Sequence, residues 1–205
     1  MKKLIISFFI MTAMLVCIVS AQETVSYTVV AGDSMWKIAE KYQVGVSEII
    51  SSNPQITNPS MIYPGQKLTV PTMQGIKSLE SQVVKLVNAE RAKQGLQPLT
   101  ENWQLSRVAR YKSADMAAKN YFSHTSPTYG SPFRMMESFG IKYSSAGENI
   151  AYGQKTPQQV MTAWMNSPGH KANIMSPSYT QIGVGYATNK SGTPYWTQMF
   201  IRPTR

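Results

Sequence analysis

The sequence predicts an α+β fold in two units, a small strand–helix–helix–strand segment and a larger region that follows it. Apolar residues recur at helical spacing in several separate segments, which indicates amphipathic helices. In the larger region the strand-like segments come late instead of alternating with the helices, which favours α+β over a parallel α/β sheet. The net charge also changes between the units, from zero over residues 27–71 to +8 over residues 79–205.

The N-terminus has the pattern of a secretory signal peptide over residues 1–21. Two lysines follow the initial methionine, a largely apolar run covers residues 4–19, and Val19 and Ala21 suit cleavage after Ala21. The run is shorter than the roughly 20 residues of a membrane-spanning helix. An uncleaved membrane anchor is the alternative interpretation. A lipoprotein is disfavoured because bulky Val16 precedes Cys17. Cys17 is the only cysteine, so cleavage excludes disulfides, cysteine catalysis and thiolate metal sites.

Residues 26–71 predict the order strand, helix, helix, strand. The β-branched segment 26–30 begins as a strand, and Asp33 or Ser34 can cap the following helix. Ser47 can cap a second, short helix, and residues 66–70 form a closing strand after several proline and glycine turns. The apolar stripe of the first helix consists of Met35, Ile38, Ala39 and Tyr42.

This segment resembles a LysM module. The resemblance rests on Tyr27-Thr28-Val29, on the run from Gly32 to Ala39, on Asn53-Pro54 and on the run from Tyr63 to Leu68. It implies a βααβ unit that binds N-acetylglucosamine glycans such as peptidoglycan or chitin, in a groove between two loops. Trp36 either stacks on a sugar or packs against the sheet. The implied groove residues are Gly32, Asp33, Ser34, Met35, Ile62, Tyr63, Pro64 and Gly65.

A linker is predicted over residues 72–78, and the second domain over residues 79–205. Apolar residues at helical spacing begin at Leu79, and Gly95 is expected to end that helix. A second helix is expected to end near Asn120. Ser131-Pro132 and Thr156-Pro157 have the pattern of helix starts with proline in the first turn. Strands are expected over residues 147–152, around 182–186 and over 196–201.

Three polar residues are the main candidates for chemistry. His124 and His170 are the only histidines, each in a Ser/Pro/Gly-rich segment expected to be a turn, and Glu148 lies between them in a Gly-Glu-Asn sequence. Histidine changes charge near neutral pH and is a frequent metal ligand. The spacing leaves open whether the three converge on one pocket or are unrelated surface residues.

The second region resembles a CAP domain, also called SCP-like, of the bacterial YkwD-like branch in which a LysM module often comes first. The motifs are Leu86 to Arg91, Tyr121 to His124, Gly147 to Ala151, Ala163 to Ile174 and Ile182 to Gly185. The resemblance implies an α-β-α sandwich with an open cleft of two histidines and two acids. His124, Glu148 and His170 match three of these positions. The fourth has no clear match, and Glu137 could replace it only with its side chain turned inward.

The resemblance also implies a divalent metal, often zinc, held by His124 and His170. The sequence adds no independent metal signal, since the H-E-x-x-H spacing is absent. Without a metal, either histidine could serve as a general base oriented by Glu148. Ser123, beside His124, fits a turn residue better than a nucleophile.

The function expected from these features is a secreted, cell-wall-associated protein, with a spore envelope as a further location. Its partners would be peptidoglycan or chitin-like glycan. The +8 charge of residues 79–205 indicates either attraction to anionic wall polymers or only a solvated basic surface. Because the protein is expected to be exported, nucleic acid is not an expected partner. No membrane contact is expected after the signal peptide is cleaved. We favour a binding protein whose cleft takes an unknown ligand. A wall hydrolase or protease and an envelope assembly protein are the alternatives.

Overall fold

The computed structural model describes residues 23–204, so the predicted signal peptide and Cys17 lie outside the described residues. Residues 24–71, the first unit, have the predicted βααβ order. A Ser34 oxygen accepts a hydrogen bond from the Lys37 backbone N–H at 3.2 Å and caps the first helix. The two strands pair antiparallel over a small apolar core. The elements are β1 (Thr24–Thr28), α1 (Met35–Tyr42), α2 (Val46–Ser51) and β2 (Lys67–Pro71).

Most of the predicted linker over residues 72–78 is helical, because α3 (Gln74–Lys93) already begins at Gln74. The chain turns at Met73, whose φ of 51° is left-handed. The Glu23 carboxylate then accepts a hydrogen bond from the Gln74 backbone N–H at 2.7 Å. This cap comes from 51 residues away in the sequence, so local spacing did not reveal that the helix starts so early.

The remaining residues, the second unit, form the expected α-β-α sandwich. The four-stranded sheet has the order β3-β5-β6-β4, antiparallel except for the short β3–β5 pair, which the sequence did not predict. One face packs on α3 and α6, and the other on α4 and α5. The elements are β3 (Thr100–Glu101), α4 (Trp103–Lys119), α5 (Pro132–Ser138), β4 (Tyr143–Tyr152), α6 (Pro157–Met165), α7 (Pro168–Ile174), β5 (Gln181–Thr188) and β6 (Pro194–Pro203).

Helix α4 lies directly against the backbone of β5, which requires glycine at two positions. A Cβ on Gly183 would lie 2.3 Å from the backbone of Leu105, and one on Gly185 would lie 2.1 Å from the backbone of Ala109 and Arg110. The alternation of glycine with Ile182 and Val184 therefore gives β5 one face for α4 and one apolar face for the opposite layer.

The segment around His170 is a helix and not the expected turn. Pro168 occupies the first turn of α7, where its missing N–H costs no hydrogen bond. Helix α7 contacts β4, which forms one edge of the sheet. His170 is therefore held on a short helix beside a sheet edge.

The two units contact each other through side chains of α3 and α4. The Arg107 guanidinium lies 3.1 Å from the Glu48 carboxylate of α2. Lys77 Nζ of α3 donates to the Tyr42 carbonyl at 2.6 Å. Among the residues described, no helix is both long enough and apolar enough to cross a bilayer.

Candidate functional site

The centre of the candidate site is a histidine–carboxylate pair. His124 Nδ1 and Glu148 Oε1 lie 2.7 Å apart, and the side chains are 55% and 1% exposed respectively. The buried carboxylate fixes the orientation of the exposed ring. Because Nδ1 is engaged by Glu148, Nε2 is the ring nitrogen left for a ligand or a proton transfer.

Strand β4 divides the Gly-Glu-Asn sequence between the two faces of the sheet. Glu148 pairs in register with Met199 and faces the α4 layer, while its neighbours face the α7 layer. At Gly147 a Cβ would lie 2.5 Å from Tyr179 Oη, so glycine is required for that contact. Asn149 Nδ2 donates to the His170 carbonyl at 3.0 Å. The motif thus holds one histidine by a side chain and the other by its backbone.

His170 lies on α7, and its backbone carbonyl accepts a hydrogen bond from Asn149, the residue next to Glu148. His170 is half-buried on α7, and burial together with the charge of His124 lowers the pKa of His170. A lowered pKa favours the neutral imidazole at pH 7. His124 and Glu148 are therefore in direct contact, whereas His170 is linked to this motif through its backbone carbonyl, and convergence of all three side chains on one pocket stays a prediction.

Two residues of α4, which the sequence analysis did not single out, support the loop that carries His124. Lys112 is fully buried, and its Nζ donates to the His124 carbonyl at 2.6 Å. The Asp115 carboxylate accepts hydrogen bonds from Tyr121 and Ser126 at 2.7 Å each, and from Thr128. The sequence feature that could have revealed this support is a lysine, Lys112, within the apolar stripe of α4.

Burial and hydrogen bonding together shift the pKa values of Glu148, Lys112 and Asp115. Burial raises the pKa of Glu148, and the hydrogen bond from His124 and the charge of Lys112 only partly oppose it. Burial likewise lowers the pKa of Lys112. For Asp115, burial would raise the pKa, but the hydrogen bonds from Thr128, Ser126 and Tyr121 prevail and lower it to about 2. The surroundings thus lower the pKa of Asp115 and raise that of Glu148.

One buried oxygen at the site has no protein partner. Glu148 Oε2 is buried and has no hydrogen-bond partner among the described residues. A buried acceptor without a partner costs free energy, about 1–3 kcal/mol for neutral groups and more for charged ones. The arrangement therefore favours either protonation of Glu148 or a donor supplied by a ligand or water.

The described residues do not provide a three-ligand metal shell. Between residues 23 and 204 no group of three or more His, Cys, Asp or Glu side chains is placed to hold an ion. Glu148, the nearest carboxylate, is engaged by His124. A catalytic zinc ordinarily has three protein ligands, so we derive no step through a metal. Zinc binding by His124 and His170 stays a prediction.

Glu137 does not turn toward the cleft. It is exposed on α5, and its Oε1 accepts a hydrogen bond from Tyr143 Oη at 3.0 Å. Tyr143 lies five residues before Glu148 on β4, about 17 Å in an extended strand. Glu137 therefore does not supply the missing second acid in this conformation.

In the first unit, the two loops predicted to hold a glycan lie side by side. The Gly65 N–H donates to the Val29 carbonyl, and the Val29 N–H donates to the Gln66 carbonyl, both at 2.9 Å. Gly32 and Gly65 have φ of 87° and 88°, which only glycine adopts readily. These contacts join the chain ahead of the 32–35 loop to the end of the 62–65 loop.

Side chains within these loops differ in what they can offer a sugar. Met35, one of the groove residues that the resemblance implies, is buried in the core of the unit, so its side chain does not offer a surface to a sugar. Ile62 is half-buried, and Tyr63 is 59% exposed. Asp33 Oδ2 accepts from the Tyr27 hydroxyl at 2.8 Å and the Val30 N–H at 2.9 Å. The loop backbone, with Ile62 and Tyr63, is therefore the accessible surface.

Two family models match the chain, the LysM domain over residues 27–71 and the cysteine-rich secretory protein family, abbreviated CAP, over residues 84–200. The protein YkwD of Bacillus subtilis (strain 168) is 60% identical over 126 residues, which are 62% of this chain and 48% of YkwD. This chain therefore matches about half the length of that relative.

Two further similarities, one to a solved structure and one to a second Bacillus subtilis protein, cover different shares of the chain. A 1.5 Å crystal structure of an extracellular protein containing an SCP domain, from Bacillus anthracis str. Ames, has a TM-score of 0.59 and 31% identity. The match covers 68% of this chain and 47% of the Bacillus anthracis chain. SpoIVD-associated factor A of Bacillus subtilis (strain 168) is 56% identical over 41 residues, 20% of this chain and 11% of that protein.

Proposed function

The chain belongs to the cysteine-rich secretory protein family, with a LysM domain ahead of the CAP domain, and on this premise we propose an exported, wall-associated binding protein. The LysM domain would hold N-acetylglucosamine-containing glycan such as peptidoglycan. The CAP domain would present the cleft of His124, Glu148 and His170 to a second wall ligand. The observation that carries the cleft assignment is the 2.7 Å contact between His124 Nδ1 and the buried Glu148 carboxylate.

The loop geometry supports a glycan as the ligand of the LysM domain. A sugar chain presents hydroxyl and acetamide groups, which exposed backbone amides of a glycine-shaped loop can match. Tyr63 and Ile62 add apolar surface for the sugar faces. The basic second domain offers a competing explanation for wall attachment, because 14 basic residues against 6 acidic ones over 79–205 attract anionic polymers.

Sedimentation with insoluble peptidoglycan tests the anchor. We expect the mature protein to sediment in high salt as in low salt, and soluble N-acetylglucosamine oligomers to release it. Oligomers of glucose, which lack the acetamide, are the matched control and should not release it. Salt screens charge attraction far more than it weakens hydrogen bonding in a groove. Release by salt alone would assign the attachment to the basic surface of the second domain and refute the glycan assignment.

The cleft is proposed to bind a ligand that donates a hydrogen bond to Glu148 Oε2 or accepts one from His124. The chain has two histidines, so their imidazole proton resonances can be followed individually. We expect both to shift when soluble wall fragments are added, and the Glu148→Gln variant to lose the shift of His124. An unchanged spectrum at saturating fragment concentration would contradict the cleft assignment and leave the glycan anchor intact.

Hydrolysis is the second candidate, because a buried carboxylate that orients an exposed imidazole is also the arrangement of a general base. Fold similarity alone does not supply an activity. We expect no turnover of muropeptides by the pure protein, with or without added zinc. Turnover that disappears in the His124→Gln, His170→Gln double variant would replace the binding proposal with an enzyme.

An assembly role in a spore envelope is the third candidate, suggested by the name of spore coat assembly protein ExsA of Bacillus cereus, which is 46% identical over 41 residues, 20% of this chain and 6% of that protein. An assembly protein would depend on partner proteins for its position. We expect the double histidine variant to attach to purified, protein-free wall as well as wild type does. Failure of wild type to attach without other envelope proteins would favour assembly.

A further inference from the structure

We propose that Trp36 of the LysM domain and Trp103 of the CAP domain form one sugar-binding platform that extends the LysM groove across the domain boundary. This inference rests on the proposed glycan binding and adds a subsite to it. The two rings are 6.3 Å apart between centroids, with an angle of 47° between their planes. Each domain contributes one ring, so neither domain alone contains the platform.

The exposure of the pair distinguishes it from the other tryptophans. Trp164 and Trp196 are 1% and 0% exposed and belong to the apolar core. Trp36 remains 51% exposed even with Trp103 beside it, and Trp103 is half-buried. Because the rings are tilted and not stacked face to face, part of their aromatic surface stays open to a ligand.

The platform lies next to the predicted groove. Trp36 is the second residue of α1, directly after Ser34 and Met35. Side chains on a helix lean toward its N-terminus, which brings the Trp36 ring toward the loop of Gly32 to Ser34. Lys37 Nζ donates to the Gly32 carbonyl at 2.7 Å, so this turn of the helix does reach the loop. A glycan that leaves the groove on this side meets the indole next.

The position of Trp103 is fixed by neighbouring contacts between the domains. Trp103 begins α4 after its cap Asn102, and one turn later Arg107 is paired with Glu48 of the LysM domain. Arg107 Nη2 also donates to Ser47 Oγ at 3.3 Å. These contacts hold the two rings in place before a ligand arrives, which reduces the entropy lost on binding.

A glycan is the occupant that the pair fits best. The C–H faces of a pyranose ring are apolar while its edge is polar, and an exposed indole offers a flat apolar face with an N–H at its rim. The platform is continuous with a groove assigned to the same chain-like ligand. Longer oligomers should therefore bind more tightly than short ones, because added sugars reach Trp103.

Titration of the mature protein with N-acetylglucosamine oligomers of increasing length tests the platform. We expect Trp103→Ala to weaken binding of long oligomers about two- to tenfold, the range of one aromatic contact. Short oligomers that fill only the groove should bind as they do to wild type. Trp103→Phe should restore most of the affinity. Phe133→Ala, which removes an exposed ring elsewhere on the CAP domain, is the matched control and should change nothing.

Tryptophan fluorescence gives a second readout. In the Trp36→Phe variant, Trp103 is the only tryptophan with substantial exposure in the described part of the chain, since Trp164 and Trp196 are buried. Long oligomers should protect it from acrylamide quenching, and short oligomers should not.

Three results would overturn the platform. Equal affinity of wild type and Trp103→Ala for long oligomers, with no protection of Trp103, would refute it while glycan binding stands. An equal loss for short and long oligomers would show that Trp103 acts only by packing the domains together. Failure of wild type to bind any oligomer would refute the proposed glycan function and, with it, the platform.

Discussion

The loops of the two candidate binding regions are each shaped by an aspartate that accepts a hydrogen bond from a tyrosine six residues away. Asp33 accepts from Tyr27 at 2.8 Å in the LysM domain, and Asp115 accepts from Tyr121 at 2.7 Å in the CAP domain. Asp33 completes its contacts within a short stretch of chain near the surface, with the Val30 N–H. Asp115 is buried on α4 and gathers hydroxyl groups from the whole His124 loop.

The difference shows how each binding region depends on the rest of the molecule. The LysM loops are held by their own turns and by two backbone hydrogen bonds between the strands' ends. The CAP cleft depends on α4 being seated against the sheet, because Lys112 and Asp115 reach the loop from that helix. A substitution in the sheet where α4 packs on it should therefore disrupt the CAP cleft and leave the LysM groove intact.

The largest effect is expected for Gly185→Ala, which tests that separation. The new Cβ would lie 2.1 Å from the backbone of Ala109 and Arg110, where neither partner can move without displacing α4. We expect a loss of about 3 kcal/mol in the free energy of unfolding of the CAP domain. Chemical unfolding followed through the buried Trp164 and Trp196 measures it.

The control for that variant is Gly169→Ala on α7, where a Cβ would have no atom within 4 Å. It should change the free energy of unfolding by no more than about 1 kcal/mol, because alanine suits a helix. Binding of short N-acetylglucosamine oligomers, which fill only the LysM groove, should persist in the Gly185→Ala protein. Loss of short-oligomer binding in parallel with loss of the CAP domain would show that the two regions are not separable.

A smaller effect, with a pH signature, is expected for Asp115→Asn. The pKa of Asp115 falls from 3.8 to about 2 on folding, so its stabilisation is complete above about pH 4 and disappears as pH falls through 2. The shift corresponds to about 2 kcal/mol. Unfolding of wild type and variant should differ by about this amount at pH 7 and converge near pH 2. A constant difference across that range would refute the assigned role of the charge.

The smallest effect on stability is expected for Asp33→Asn, the counterpart in the LysM domain. Asp33 lies at the surface, where solvent screens its interactions, so the free energy of unfolding should not change measurably. The loop should nevertheless lose part of its order, and affinity for N-acetylglucosamine oligomers should fall several-fold while His124 resonances stay unchanged. A loss of stability as large as that of Asp115→Asn would remove the contrast between the two regions.

Much of the fold was predictable because it is encoded locally. The caps at Ser34 and Thr156, the turn glycines and the apolar stripes predicted five helices close to their observed places. Two of the errors lie where a distant residue decides the local structure. Helix α3 begins early because Glu23 caps it, and β3 exists only because it pairs with β5. Helix α7 was mistaken for a turn because its Ser-Pro-Gly start is typical of both.

The sequence by itself determined which residues were available for chemistry, namely two histidines, a Gly-Glu-Asn motif and two glycine-shaped loops. It also determined the loop conformations of the LysM groove, because contacts over three to six residues follow from the local chain. Only the tertiary structure decided that His124 contacts Glu148, that Lys112 and Asp115 support the His124 loop, and that Trp36 meets Trp103. Those contacts join layers and domains, and their geometry depends on how whole helices pack on the sheet, which residue spacing along the chain does not specify.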